Sequence, residues 1–113
     1  MNLVLKTFLV SQLRRISYKW PAFGAAKMNA RIGKAVNPAT GRAQWRTRCE
    51  LCNYEFFETS TEVDHKVPVV PIAGWDSFDG YVARLFCRPE DLQVVCKPCH
   101  RAKTHKENQG RKR

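Results

Sequence analysis

Two short cysteine motifs, Cys49-Glu50-Leu51-Cys52 and Cys96-Lys97-Pro98-Cys99, limit what this chain can fold into more than any other feature. A two-residue spacer lets two thiolates turn onto one ion. Two such knuckles supply four soft ligands in tetrahedral array, which suits zinc. Thiolates at all four positions leave no place for water, so the expected zinc is structural. With 113 residues the core is marginal, and zinc binding worth roughly 10–16 kcal/mol would match the whole stability of such a domain. Redox pairs or disulfides are the weaker reading, since the chain reads as a reduced, intracellular protein. Cys87, the odd cysteine, reads as a buried structural thiol.

The knuckles are 43 residues apart, so an insertion lies between them. It contains Val63-Asp64-His65-Lys66-Val67-Pro68, a strand-like run that places a carboxylate beside an imidazole. His100 directly follows Cys99. If one ion gathers the knuckles, His100 comes to lie beside the strand that carries Asp64 and His65. Neighbouring residues at a strand end point to different sides. Asp64 and His100 can then hold a second, divalent ion, magnesium or manganese, while His65 faces a water as a general base. Such a trio suits phosphodiester hydrolysis, which needs an activated water and a cation on the phosphorane. An acid–histidine pair alone is more often structural; the double knuckle and His100 tip the balance.

Charge points the same way. The formal net charge is +10, and residues 1–48 hold ten basic side chains and no acid. Residues 97–113 add seven basic groups against one acid, so basic segments flank an acidic middle. That is the footprint of a polyanion binder, with a basic face kept for solubility as the bland alternative. No membrane partner is expected. The opening MNLVLKTFLV lacks the basic start and unbroken apolar run of a signal peptide, and no stretch approaches a membrane span. The expected location is cytoplasmic.

Apolar spacing predicts an amphipathic helix over residues 2–17 with its apolar face on the domain, closed by Trp20-Pro21. A short basic helix is expected over 22–35, then a turn-rich linker, Asn37 to Gly41. Short strands are expected at 54–57, at VDHKVP and at 91–95. Residues 75–86 suit a helix that covers the site, with Trp75, Tyr81 and Leu85 as core, and 100–107 a helix that leaves His105 on the surface. The chain thus divides into a basic, mostly helical arm (1–48), a core (49–107) and a basic flexible tail (108–113).

The order CxxC, then VDH, then DLQVVCKPCHRAKT, resembles the HNH endonuclease family in its zinc-stapled form. Arg14 to Pro21 and Trp75 to Cys87 also look like the small HNH nucleases of phages and prophages. The resemblance implies an α+β fold with a ββα-metal motif, His65 as general base, Asp64 and His100 as catalytic metal ligands, and Cys49, Cys52, Cys96 and Cys99 on structural Zn2+. It implies a DNA endonuclease dependent on Mg2+ or Mn2+, leaving 5′-phosphate and 3′-hydroxyl ends. Partners would be double-stranded DNA, and phage packaging proteins or a second copy of the chain. In a phage setting the location is the bacterial host cytoplasm. Arg14, Arg15, Lys19, Arg46, Arg48, Arg101, Lys103 and Lys106 are the expected DNA contacts, Lys103 through phosphate because it shares a helix face with His100. The family's central asparagine is replaced by Asp91, which accepts hydrogen bonds but, ionised, donates none. Asp91 is therefore either a catalytic-site group or the mark of a disabled enzyme. The competing function is a non-catalytic zinc-knuckle protein that binds nucleic acid.

Overall fold

The computed structural model describes residues 2–111. Their α+β fold holds four helices and two small sheets. Helix α1 (Leu3–Ser17) is opened by Asn2, whose side chain accepts from the Leu5 N–H at 2.8 Å. It ends at Ser17, before Pro21. That proline is instead the first residue of α2 (Pro21–Ala30), where its missing N–H costs nothing.

The second helix is shorter than the sequence suggests. After Ala30 the chain turns into β1 (Arg31–Asn37), which pairs antiparallel with β2 (Arg42–Arg48). The β-branched Ile32 and Val36 suit a strand, and Gly33, at φ 140°, sits where the β1–β2 register shifts. Asn37 to Gly41 is thus a hairpin turn, not a linker: the Asn37 carbonyl accepts from Thr40 and Gly41, and Gly41 is left-handed at φ 71°. β2 also pairs with β3 (Glu55–Phe57), which ties the basic segment to the residues after the first knuckle.

The second sheet positions the site. β4 (Thr61–His65) pairs antiparallel with β5 (Leu92–Cys96), in a register that sets Thr61 opposite Cys96 and Asp64 opposite Gln93. Helix α4 (Lys97–Arg111) follows β5 and packs on both strands. The 26 residues between β4 and β5 carry α3 (Phe78–Leu85), capped by Ser77, and a turn of 3-10 helix at Pro89–Asp91.

Three small apolar groups replace one large core. Phe23, Ala22 and Ala26 of α2 bury Leu92; Tyr81 and Leu85 of α3 pack with Val69, Val10 and Leu13; the third, around Val95, is made largely of cysteines. The expected apolar face of α1 is only half used: Val10 and Leu13 pack, while Leu5, Phe8 and Ile16 are exposed. Cys87 is half-buried, its thiol pushed up by burial, and its carbonyl accepts from the Trp20 indole at 2.6 Å. The tail expected to be flexible is helical through Arg111. Gly110 lies so close to Ile72 that an added Cβ would sit 2.9 Å from its Cγ2, and Arg111 donates to the Val70 carbonyl at 2.7 Å. Lys112 and Arg113 lie outside the described residues. No helix among the described residues is long and apolar enough to cross a membrane.

Candidate metal centres and catalytic cleft

The first knuckle is a tight turn after β2. The Cys49 N–H donates to the Tyr54 carbonyl, the Cys49 carbonyl accepts from Asn53, and Asn53 closes the turn in the left-handed region at φ 65°, which asparagine tolerates. Glu50 fastens this turn to β5: its N–H donates to the Val94 carbonyl at 3.0 Å and its carboxylate accepts from the Val94 N–H at 2.9 Å. The second knuckle starts on the last residue of β5 and ends in the first turn of α4, where Pro98 is tolerated.

The four sulfurs lie within 4.8 Å of one another, and Cys52 Sγ is 3.9 Å from Cys96 Sγ. Tetrahedral zinc with 2.3 Å bonds would set sulfurs about 3.8 Å apart, so the group fits such an ion closely. The thiols themselves call for a cation. Burial opposes ionisation of Cys49, but backbone N–H groups near it outweigh burial and lower its thiol to about 6. Cys99, hydrogen-bonded to Cys96 and crowded by the other sulfurs, is pushed up to about 12. Without a positive ion the Cys49 thiol ionises readily, while Cys52 and Cys99 resist it. Its four cysteines could hold a structural metal such as zinc.

The second group lies further along β4. Glu62 and Asp64, two residues apart on one strand, share a face, and both meet His100 on α4. The His100 Nδ1 is 2.7 Å from Glu62 Oε2. A carboxylate accepts, so Nδ1 carries a hydrogen, and Nε2 is the ring nitrogen left toward Asp64. That nitrogen is 3.7 Å from Asp64 Oδ1. Adjacent ligands of one six-coordinate ion are about 3 Å apart, so a side-chain shift under about 1 Å would bring both onto magnesium or manganese. Two such donors would leave most positions of a six-coordinate ion open.

No family model, curated protein or solved structure matches this chain.

His65, next on the strand, turns away from Asp64. Its Nε2 lies 3.1 Å from the Leu85 carbonyl and its ring meets Phe23 edge-on at 5.6 Å, so α3 and α2 both hold it. A carbonyl only accepts, so Nε2 donates and the neutral ring carries its lone pair on Nδ1. Burial pulls the imidazole below its ordinary pKa, aided by Arg14 and opposed by the Leu85 carbonyl and Asp64. It is neutral at pH 7, the state a base needs. Asp64, His65, His100, Lys103 and Arg14 line one cleft of about 450 Å³.

The remaining sequence candidates separate. Asp91 shares a different cleft with His65 and does not reach the Asp64–His100 pair; its half-exposed carboxylate is 3.6 Å from Arg88. Only its backbone supports the site, the carbonyl accepting from the Lys66 N–H at 3.0 Å. Lys103 spends its ammonium on Asp64, His65 and Glu107, which leaves no donor for a phosphate. Arg46 lies over the Phe57 ring with Glu55 at 3.8 Å, and Arg48 bonds Asn53 and Glu55. Arg14, Arg15, Lys19, Arg101, Lys106 and His105 are exposed. Glu62, Glu107 and Gln93 also serve the site, and Glu107 and Gln93 carry no linear signal. For Glu62 the i, i+2 spacing from Asp64 was the available clue.

Proposed function

We propose that this chain is a divalent-metal-dependent DNA endonuclease of the HNH kind, with a zinc-type structural centre at the cysteines. The observation that carries the reading is the pairing of Asp64 Oδ1 with the His100 Nε2 at 3.7 Å, beside His65 in the same cleft.

In this mechanism Asp64 and His100 would hold magnesium or manganese, which would supply positive charge for the developing negative charge on phosphate oxygens. His65 takes a proton from the attacking water on Nδ1, while its Nε2–H stays on the Leu85 carbonyl and fixes the ring. The water oxygen bonds to phosphorus as the bond to the 3′-oxygen breaks, and the leaving oxygen takes its proton from solvent. The products carry a 5′-phosphate and a 3′-hydroxyl. Arg14, on the rim of the cleft, is placed to steady the phosphate, and the exposed Arg15, Lys19, Arg101 and Lys106 supply a sequence-independent grip on duplex backbone.

The deciding experiment is supercoiled-plasmid cleavage with Mg2+ or Mn2+, wild type beside His65→Ala. Wild type should nick or linearise the plasmid, with chelator stopping it, and His65→Ala should be slower by roughly 10²–10⁴-fold while still binding DNA. If neither cuts while both bind DNA, the zinc-knuckle binder becomes the correct function.

A further inference from the structure

Lys103 is the unexpected occupant of the cleft. Its ammonium has three hydrogens and meets three acceptors: Asp64 Oδ2 at 3.0 Å, Glu107 Oε2 at 2.6 Å and the His65 carbonyl at 3.1 Å. The Lys103 and Glu107 side chains are each only 19% exposed, and Asp64 is 15% exposed, so this is not a solvated surface pair. Burial opposes the charge on the lysine, but the Glu107 and Asp64 carboxylates outweigh it and hold its pKa above the ordinary value.

We propose that Lys103, anchored by Glu107, is the positioning residue of the cleft. It fixes Asp64 as a one-oxygen ligand, braces the peptide of the base His65, and restrains the affinity for the divalent ion. Asp64 Oδ2 is taken by Lys103 and by Gln93, whose amide donates at 3.3 Å, so Oδ1 alone faces His100. The same ammonium holds the His65 carbonyl. One side chain therefore couples ligand and base, which the Asp91 side chain does not do; Asp91 reaches the same peptide only through its carbonyl. Because the brace is a cation, its field opposes a second cation on the other oxygen of Asp64. Glu107, four residues on along α4, fixes the ammonium and offsets part of that field.

The inference rests on the nuclease reading, and its test separates the two. Mn2+ binding to the zinc-loaded full chain is followed by the electron paramagnetic resonance of free Mn2+, and plasmid nicking is measured at saturating Mn2+. Lys103→Met should tighten Mn2+ on the order of tenfold, since even water-like screening leaves such a repulsion across a few ångströms. It should also slow turnover at least about tenfold. Glu107→Gln should slow turnover too, yet weaken Mn2+. Affinity moving in opposite directions while both rates fall is a result that loss of structure cannot give. Affinity falling in both variants, or turnover unchanged in Lys103→Met, overturns the proposal. If Lys103→Met does not fold, Glu107→Gln decides: unchanged or tighter Mn2+ overturns it. A wild-type chain with no Mn2+ binding that His100→Ala abolishes removes the nuclease reading itself, before Lys103 is touched.

Discussion

The cysteine cluster, on the turn after β2 and the β5–α4 junction, and the Asp64–His100 pair, on β4 and α4, are neighbours built on opposite chemical terms. Four soft sulfurs lie within 4.8 Å of one another, with Cys49 and Cys96 buried, and close every direction around an ion. Asp64 and His100 offer two harder atoms at 3.7 Å on the wall of an open cleft. A closed set suits an ion that never leaves, and an open set one that must admit substrate. Packing follows the same division. Val95 and Phe56 are grouped with the cysteines, so the sulfur cluster is itself the core there. Around Asp64 the neighbours are polar and charged.

Breaking the closed centre should have the largest effect. In Cys96→Ser the ion loses a buried thiolate from the group that stands in for a hydrophobic core. Of the roughly 10–16 kcal/mol such an ion contributes, enough should vanish to abolish cooperative folding. Thermal melting by circular dichroism, with released zinc read by a colorimetric chelator, should show no transition and less than one zinc per chain. A cooperative melt with full zinc would show that three sulfurs suffice and that the centre is not the staple.

The open centre should respond more gently, and without touching the fold. Glu62→Ala removes the carboxylate that holds the His100 hydrogen on Nδ1 at 2.7 Å. Outer partners of metal-binding histidines typically change affinity by about 10–100-fold, so Mn2+ binding should weaken within that range while zinc content and melting stay put. Equal loss at both centres would mean that they are one structural unit and the contrast between them is false.

What could be read from the chain follows the same contrast. The cysteine cluster was legible because its spacing is local: two residues within each knuckle fix the geometry wherever the insertion runs. Asp64, His65 and His100 were legible only as types at sites that the knuckles would draw together. The contacts of Lys103 with Glu107 and the His65 carbonyl are not legible in the sequence, because they are made only in three dimensions. The helix expected over 22–35 stops at Ala30, because pairing with β2 takes residues 31–35 into a strand. The half-exposed α1 shows the limit of periodicity, which marks an apolar stripe without saying whether anything covers it.

Asp91 gives the sharpest and smallest test of the open centre. If the aspartate disables the enzyme, Asp91→Asn should restore turnover tenfold or more. The geometry points elsewhere. The carboxylate is half-exposed and lies 3.6 Å from Arg88, a surface contact of the kind worth about 0–1 kcal/mol. What reaches the site is the Asp91 carbonyl, which takes the Lys66 N–H just past His65. Asparagine has the same backbone and would keep that bond. Turnover of Asp91→Asn at saturating Mn2+ should therefore stay within about twofold of wild type, less than about 0.5 kcal/mol in the barrier. A large gain would place the Asp91 side chain in the catalytic cleft after all, and would move the brace of His65 from Lys103 to position 91.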